Sequence, residues 1–387
     1  MKRRDFIKSS LSVALAGALS GNALTSALAA GPIKVGILIP LSGPAGLFGP
    51  SSQNCAQMAV DEINASGGIL GRQIEPVFAD VGGPPADATQ AALKLWKGEK
   101  AEAFIGMHDS AVRGALTNLF KGQVPYIYTP VYEGGECAAG TYVIGETPDQ
   151  QLAPVIPWLA KEKGASKWYL IGNDYNWPRD TNAAAKGYIE AAGGEVVGEE
   201  YLPFTADNFD SNLAKIKDTG ANAVLITLVG GASVGFNRAF ASFGLSDSAI
   251  RLGTLIEENT LAGIGAENSK GLYSSAGYFA SIDTPAAKAF AEAYAAKFGA
   301  DAAALNSLGQ SCYEGVLLLS ALAGKAQSLS ASDIDAIAEG TSYEGPRGVA
   351  TMSNRHVAKD IYLAEANGTT FEVVQTFENV DPGNNCG

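Results

Sequence analysis

Residues 231–235 carry the spacing of a hydrolase nucleophile. They read GASVG, which matches the pattern G-x-S-x-G, and they fall between a strand-like run and a helical segment, as a nucleophile elbow does. Ser233 would need a histidine as its general base, and the sole histidine that follows it in the chain is His356. No HGGG-type segment supplies an oxyanion hole. An amidase or esterase using Ser233 is therefore one alternative, and a glycine-rich turn beside a binding cleft is the other.

A second group of residues has the character of a binding site. Ser110 follows the apolar run 103–107 and opens a helical segment, so its hydroxyl and the free N–H groups of the first turn face one edge of the sheet. Such a helix start accepts a carboxylate or an amide carbonyl oxygen without any basic side chain. Asp109 is equally suited to be a plain N-cap of this helix. His108, at the same strand end, is either a structural histidine or a ligand contact.

Aromatic and hydroxyl side chains end the next strand at the same rim. Tyr128 and Thr129 close the apolar run 125–129, and Tyr132 follows it. Aromatic walls suit a small planar or apolar solute because they desolvate it while a hydroxyl keeps one polar contact. Core packing at the strand end is the alternative for both tyrosines.

Further candidates lie in the second half of the chain. Tyr175 and Trp177 stand in the loop after the strand-like run 168–172, where closure of a cleft would bring a ring over a ligand. Packing against their own lobe is the competing interpretation. Thr227 and Val229 end the following strand.

Two neighbouring carboxylates, Glu257 and Glu258, come directly after the strand-like run 250–256. An amino or amide nitrogen needs an acceptor, and a carboxylate at this position would supply a charge-assisted hydrogen bond. The sequence leaves open which of the two faces the cleft.

The cysteines and histidines predict no metal site, and no cofactor is expected. Cys55, Cys137, Cys312 and Cys386 show no C-x-x-C spacing, and none neighbours a histidine. Four cysteines permit three disulfide pairings, which the sequence does not distinguish. P-loop, G-x-G-x-x-G, H-E-x-x-H and EF-hand patterns are also missing from the sequence.

The elements that must position these residues alternate between strands and helices. The first series predicts strands at 33–39, 74–80, 103–107 and 125–129, with helices at 49–66, 86–97 and 110–121. After a loop at 131–141, the second series predicts strands at 168–172, 195–202, 223–229 and 250–256, with helices at 149–163, 179–193, 208–218 and 232–243. Near-continuous apolar strands separated by helices indicate parallel sheets covered on both faces.

The predicted fold is therefore α/β, with two doubly wound, Rossmann-like lobes joined by several hinge crossovers. Helices are expected at 285–298, 305–324 and 331–339, followed by a hairpin that turns at Asn367-Gly368. This order suggests that the chain returns to the first lobe and crosses again. The expected lobes are residues 31–148 plus 282–345 and residues 149–281 plus 346–387, with a ligand between them at the carboxyl ends of the strands.

The N-terminus, residues 1–29, is predicted to be a signal peptide. A basic start precedes a Leu/Ala/Ser-rich stretch that ends at Ala27-Leu28-Ala29, which fits the small-x-small cleavage rule. The stretch is too polar for a membrane anchor, and an amphipathic first helix is the alternative. Residues 3–8 (RRDFIK) look like a twin-arginine export motif, although Sec export stays open.

The 387-residue composition excludes two classes of partner. The chain has 27 Lys and Arg against 40 Asp and Glu, a net charge of −13. Nucleic acid and anionic membranes favour basic surfaces, so neither is expected to bind. With 47% apolar and 17% charged residues, the chain can bury a full core and is not intrinsically disordered.

Two segments carry a resemblance to a known family. Residues 33–43 (IKVGILIPLSG) and 59–72 (AVDEINASGGILGR) strongly resemble the periplasmic Leu/Ile/Val-binding-protein family, the type I solute-binding components of ABC transporters. Residues 132–136 (YEGGE), 173–179 (NDYNWPR) and 278–285 (YFASIDTP) look like the branch that contains urea- and short-amide-binding proteins. The likeness covers essentially the whole mature chain, although residues 107–109 (MHD) and Trp177 depart from the relatives' motifs.

The resemblance implies a periplasmic protein that binds a small solute between two lobes and passes it to a membrane permease without chemistry. The implied ligands are a short amide, urea or a branched-chain or other amino acid. By analogy with relatives, Ser110 and Thr129 would bind the oxygen end of the ligand, Tyr128 would line the pocket, and Glu258 would take the nitrogen. The family also contains an amide-sensing regulator, but that role needs the cytoplasm and the export signal argues against it.

Overall fold

The computed structural model describes residues 31–299, 301–383 and 386. The predicted signal peptide and its twin-arginine motif lie outside these residues. Within the described ranges, the strands form two sheets that are each flanked by helices. No helix in these ranges is both long and apolar enough to cross a bilayer.

The first sheet has five parallel strands in the order β2-β1-β3-β4-β5. The strands are β1 (Ile33–Ile39), β2 (Ile74–Asp80), β3 (Ala103–Gly106), β4 (Tyr126–Tyr128) and β5 (Thr141–Val143). Six of the seven residues of β1 are buried, as expected for a central parallel strand with helices on both faces.

The second sheet repeats this order and then extends it. Its parallel part runs β7-β6-β8-β9-β10, after which β13 pairs antiparallel with β10, β12 and β14, and β11 forms the edge beside β12. These strands are β6 (Lys167–Asn173), β7 (Glu195–Leu202), β8 (Ala223–Thr227), β9 (Ile250–Gly253), β10 (Leu272–Ala276), β11 (Ser342–Gly345), β12 (Gly348–Ser353), β13 (His356–Asn367) and β14 (Thr370–Val380). The two lobes predicted from the alternating pattern are thus confirmed as two α/β units.

Twelve α-helices are present in the described ranges. They are α1 (Gly49–Ala65), α2 (Pro85–Leu93), α3 (Ser110–Phe120), α4 (Pro148–Gln151), α5 (Val155–Lys163), α6 (Asn176–Ala191), α7 (Asp210–Thr219), α8 (Gly230–Ser242), α9 (Glu258–Ile264), α10 (Pro285–Phe298), α11 (Ser307–Ala326) and α12 (Ala331–Asp335). Helix α11 packs along α1 on the first unit.

Several elements differ from the sequence-based expectation. The helix predicted over 149–163 is two helices, because the chain turns at 152–154 and Pro154 cannot donate the hydrogen bond that a continuous helix needs. Strand β5, helix α9 and the short strands β11 and β12 are too brief to show a clear periodicity. The hairpin at Asn367-Gly368 is confirmed, with Asn367 paired to Thr370.

The chain passes between the two sheets at three places, which meet around one buried group of charges. We call Glu146, Glu314, Arg347 and Lys359 the crossover cluster. Arg347 donates to Glu146 at 2.9 Å and forms an ion pair with Glu314, while Lys359 lies 3.4 Å from Glu146. Glu146 follows β5, and Arg347 lies in the β11–β12 turn. Gly277 comes directly after β10, and a Cβ placed on it would collide with the Glu146 and Arg347 side chains. All four side chains are at most 8% exposed.

One disulfide joins Cys137 to Cys386 across 249 residues, whereas Cys55 and Cys312 are buried free thiols. This is a bond that the cysteine count allowed but did not assign.

Replacing both bridged cysteines with serine is expected to lower the free energy of unfolding by about 2–4 kcal/mol, because the bridge restricts the unfolded chain. Chemical denaturation measures this loss. Dithiothreitol should then destabilise the unmodified protein but not the variant; equal sensitivity of both would contradict the assignment.

Candidate functional site

A cleft opens where the strand order of each sheet reverses. In the first sheet the reversal lies between β1 and β3, and in the second between β6 and β8. In doubly wound sheets the loops after the strands diverge at such a point and leave a crevice. Here the two crevices face each other, so loops from both units line the same space.

The cleft contains two adjoining cavities that share wall residues. The inner cavity has a volume of about 40 Å³, and the outer cavity has one of about 300 Å³. Both are lined by Pro40 and Ala45 after β1, His108 and Asp109 after β3, Tyr175 after β6, and Val229 after β8. The rest of the inner wall is mainly apolar and includes Phe48, Met107, Pro130, Val131, Leu255 and Leu308.

Ser110 begins helix α3 and lines the inner cavity. Its hydroxyl proton is already used in a hydrogen bond within the protein. Its Oγ donates to Glu133 Oε2 at 2.6 Å and accepts from Arg113 Nη1 at 3.0 Å. Asp109 is the N-cap of this helix and accepts from the Val112 N–H at 2.8 Å. The hydroxyl of Ser110 therefore offers the cavity a lone pair rather than a proton.

Arg113 is neutralised within the protein. Its guanidinium donates to Glu133 at 2.7 Å and to Glu136 at 3.1 Å, and all three side chains are at most 10% exposed. One buried cation is thus paired with two carboxylates, and none of these three residues lines either cavity. Among the described residues that line the two cavities, there is thus no cationic side chain to pair with an anionic ligand.

His108 is uncharged at neutral pH, because burial lowers its pKa to about 4. Its Nδ1 lies 3.1 Å from the Asp109 carbonyl oxygen, and its Nε2 lies 2.8 Å from the Tyr126 hydroxyl. Both ring nitrogens are therefore engaged by the protein. Asp109, whose pKa burial raises, is the one acidic or basic side chain other than His108 among the residues lining the two cavities.

The inner cavity brings together six residues that the sequence proposed as ligand contacts: His108, Ser110, Tyr128, Tyr175, Trp177 and Val229. The Tyr128 hydroxyl donates to the His108 carbonyl oxygen at 2.8 Å, so it too can accept from a ligand. Trp177 is 2% exposed, and its indole nitrogen has no hydrogen-bond partner in the described structure.

Three other candidates lie behind the wall. Thr129 is buried and donates to the Gly106 carbonyl at 3.3 Å. Tyr132 bonds to His356 and receives the Glu136 N–H at 3.2 Å. Thr227 donates within the second unit and, like the other two, lines neither cavity. In this structure the three side chains are hydrogen-bonded within the protein, and their contact with a ligand stays a prediction.

The expected nitrogen acceptors, Glu257 and Glu258, also lie away from both cavity walls. Glu257 caps helix α9 by accepting from the Asn259 and Thr260 N–H groups at 2.8 and 2.7 Å. Glu258 accepts from the Ala280 N–H at 2.7 Å, and burial raises its pKa to about 8. Glu258 therefore lines neither cavity in this structure, and its role as an acceptor for a ligand nitrogen stays a prediction.

The hydrolase residues are not assembled. Ser233 lies in the first turn of helix α8, fully buried, with no hydrogen-bond partner for its Oγ in the described structure. His356 instead contacts Tyr132 and lies 2.6 Å, through its Nδ1, from the Asn354 carbonyl. The nucleophile–base hydrogen bond of a hydrolase is therefore missing from this structure.

Sequence reasoning missed the network behind Ser110. Arg113 lies three residues after Ser110 on helix α3, a spacing that places both side chains on one face. This spacing was a usable signal. Glu133 was recognised only as part of the YEGGE run, and its contact with Asn176 of the second unit, at 2.9 Å, has no local sequence pattern.

The two units touch on both sides of the cleft. On one side, Asn176 of helix α6 donates to Glu133 of the first unit. On the other, the start of helix α8 lies against the loop after β1: a Cβ placed on Gly230 would be 2.0 Å from the Pro44 carbonyl oxygen. Gly230 also has a φ of +56°, which disfavours other residues. The two units are thus in contact on both sides of the cavities, which remain partly open.

Comparisons with known proteins agree with this architecture. The periplasmic binding protein family model matches residues 32–370. The Leu/Ile/Val-binding protein homolog 6 of Brucella melitensis biotype 1 is 30% identical, over 92% of this chain and 95% of its own length.

Solved structures of solute-binding proteins have the same fold. A solute-binding protein of an ABC transporter from Rhodopseudomonas palustris HaA2, in complex with p-hydroxybenzoic acid, is 26% identical with a TM-score of 0.83, covering 91% of this chain and 98% of that one. The substrate-binding protein LivJ from Streptococcus pneumoniae, in complex with isoleucine, has a TM-score of 0.78 at 22% identity, covering 90% and 99%, and supports the fold alone. With two doubly wound units facing one cleft, the chain is a type I periplasmic binding protein by fold and belongs to the periplasmic binding protein family.

Proposed function

We propose that this protein is the exported solute-binding component of an ABC transporter and that it captures a short uncharged amide or urea between its two lobes. The observation that carries the proposal is the inner cavity, which both units line and which no unpaired cation reaches. The loaded, closed protein would then be recognised by a membrane permease.

The size of the inner cavity favours a ligand of few atoms. A volume of about 40 Å³ holds roughly three water molecules at about 10–15 Å³ each. Urea and acetamide, with about four non-hydrogen atoms, match this space. A hydroxybenzoate, which the relative from Rhodopseudomonas binds, would need the outer cavity as well or a movement of the walls.

The charges of the site favour an uncharged ligand. A carboxylate would meet Asp109 and the lone pairs of Ser110 and Tyr128, while Arg113 is held by two glutamates. Burying an unpaired anion is costly. Amide N–H groups can instead donate to these oxygens. Among the ligands that the family resemblance implies, an amide or urea therefore fits better than an amino acid.

Capture would proceed by closure of two lobes about the crossovers. We assign residues 31–148 plus 282–345 to the first lobe and 149–281 plus 346–387 to the second. Strand β11, at the end of the first of these ranges, hydrogen-bonds to the second sheet and packs on α11, which places it at the crossover. A ligand that touches both lobes stabilises the closed state, and its apparent affinity is reduced by the free energy that closure costs.

Export would follow from the predicted signal peptide at residues 1–29, by the twin-arginine or the Sec route, and would place the protein in the periplasm. The competing roles, an exported amidase or esterase using Ser233 or an amide-sensing regulator, lack a structural observation in their favour.

A calorimetric titration with matched acids and amides tests the proposed ligand class. Acetamide, propionamide and urea are compared with acetate, propionate, leucine and 4-hydroxybenzoate under identical conditions. We expect one amide or urea to bind with one-to-one stoichiometry and at least 100-fold more tightly than its matched acid, about 2.7 kcal/mol. Equal or tighter binding of an acid, or ammonia release from the amide, would contradict the proposal.

A further inference from the structure

Trp177 carries a polar group that the protein itself does not satisfy. Among the side-chain nitrogen and oxygen atoms of the described residues lining the inner cavity, its Nε1 is the one that is completely buried and has no hydrogen-bond partner. The ring is held at the start of helix α6, 6.2 Å from the Tyr175 ring. A buried donor without an acceptor is unfavourable, so a ligand acceptor at this wall would stabilise the closed lobes.

On the side of the inner cavity formed by the first lobe, the side chains offer hydrogen-bond acceptors rather than donors. Ser110 has given its proton to Glu133, and Tyr128 has given its proton to the His108 carbonyl. Asp109 adds a carboxylate that accepts from the backbone N–H groups of Val112 and Ala111. The first lobe therefore presents side-chain acceptors, and the second lobe holds in its wall a buried donor without a partner, the Trp177 indole N–H.

We infer that Trp177 is a specificity-determining residue that donates its indole N–H to the carbonyl oxygen of the ligand, while the ligand's N–H groups face Ser110 and Asp109. This orientation is opposite to the one expected from the family resemblance, in which the ligand oxygen lies at Ser110. It rests on the proposed function and adds to it that the ligand must carry an acceptor and donors at opposite ends. Because the donor and the acceptors belong to different lobes, a molecule with only one of these ends cannot bridge them.

Indole NMR tests the hydrogen bond without relying on a variant. The chain has four tryptophans, so protein labelled with ¹⁵N at the indole gives few signals, and the Trp177 signal is the one missing from a Trp177→Phe spectrum. We expect saturating acetamide to move the Trp177 indole proton downfield and to slow its exchange with solvent. If Trp177→Phe does not fold, single Trp→Phe changes at the other three positions assign the signal by elimination.

The outcomes separate the two proposals. If calorimetry shows that acetamide binds but the Trp177 indole signal stays in place at saturation, the orientation is wrong and the proposed function stands. If no amide or urea binds, the proposed function itself fails.

A ligand pair tests the orientation through affinity. Thioacetamide keeps the N–H donors of acetamide but replaces the oxygen with sulfur, which is a weaker acceptor. The unmodified protein and the control variant Trp158→Phe, whose ring lines neither cavity, should prefer acetamide by about tenfold, whereas Trp177→Phe should lose most of this preference. A preference that survives unchanged in Trp177→Phe would place the ligand oxygen elsewhere and overturn the inference.

Discussion

A Gly230→Ala variant is expected to bind the ligand at least tenfold more weakly than the unmodified protein. The added Cβ would lie 2.0 Å from the Pro44 carbonyl oxygen of the other lobe, and the φ of +56° at this position is itself unfavourable for alanine. The clash exists in the closed conformation and is relieved when the lobes separate. Moving the closure equilibrium by about 1.4–2.7 kcal/mol lowers apparent affinity by about 10- to 100-fold.

Gly231→Ala is the matched control for this variant. Gly231 is the next residue of the same helix start, but a Cβ placed on it would meet no atom within 4 Å. Calorimetry should show affinity within about twofold of the unmodified protein for Gly231→Ala. Without ligand, Gly231→Ala should unfold at the temperature of the unmodified protein, whereas Gly230→Ala should unfold somewhat lower because alanine is strained at a φ of +56°. Unchanged affinity in Gly230→Ala would mean that this lobe contact is not part of the ligand-bound state.

Arg347→Met is expected to lower the free energy of unfolding by about 3–5 kcal/mol. Arg347 is 3% exposed and pairs with Glu146 and Glu314, which are also buried. Its removal leaves two buried carboxylates with Lys359 as the remaining cation of the crossover cluster. Lys359 cannot replace the guanidinium, because its ammonium reaches Glu146 and the Ile144 carbonyl rather than the Glu314 carboxylate.

Chemical denaturation measures this loss, and Lys270→Met is its control. Lys270 also forms an ion pair, with Asp247, but both side chains are at least 71% exposed. An exposed pair contributes at most about 1 kcal/mol, so this variant should unfold almost as the unmodified protein does. Similar losses for Arg347→Met and Lys270→Met would contradict the account, because they would show that the Arg347 ion pairs stabilise the protein no more than an exposed pair does.

The alternation of apolar runs and amphipathic helices was enough to predict both sheets. Strand β1 is a mainly apolar segment bounded by Pro40, and the hairpin at Asn367-Gly368 has the strongest of the short turn signals. Strand β5 and helix α9, with three and seven residues, escaped prediction because they span about one or two turns or pleats. Their positions depend on neighbours that are distant in sequence.

The sequence predicted where the candidate site lies, but not which of its groups donate or accept hydrogen bonds or which charges are paired. The residues following β3, β4, β6 and β8 were identified because the carboxyl ends of parallel strands meet at one edge. The direction of the Ser110 proton depends on Glu133, 23 residues away, and Arg113 is kept from pairing with a ligand by its two carboxylate partners. For the same reason, the sequence did not reveal that Glu257 caps helix α9 or that burial raises the pKa of Glu258.

A crystal structure of the protein with acetamide is the most direct test of capture between the lobes. The expected result is an intact amide in the inner cavity, in contact with Ser110 from one lobe and with the Trp177 indole nitrogen from the other. Density for the compound outside the interlobe cleft, or for a hydrolysed product within it, would contradict the proposed capture of an unaltered solute.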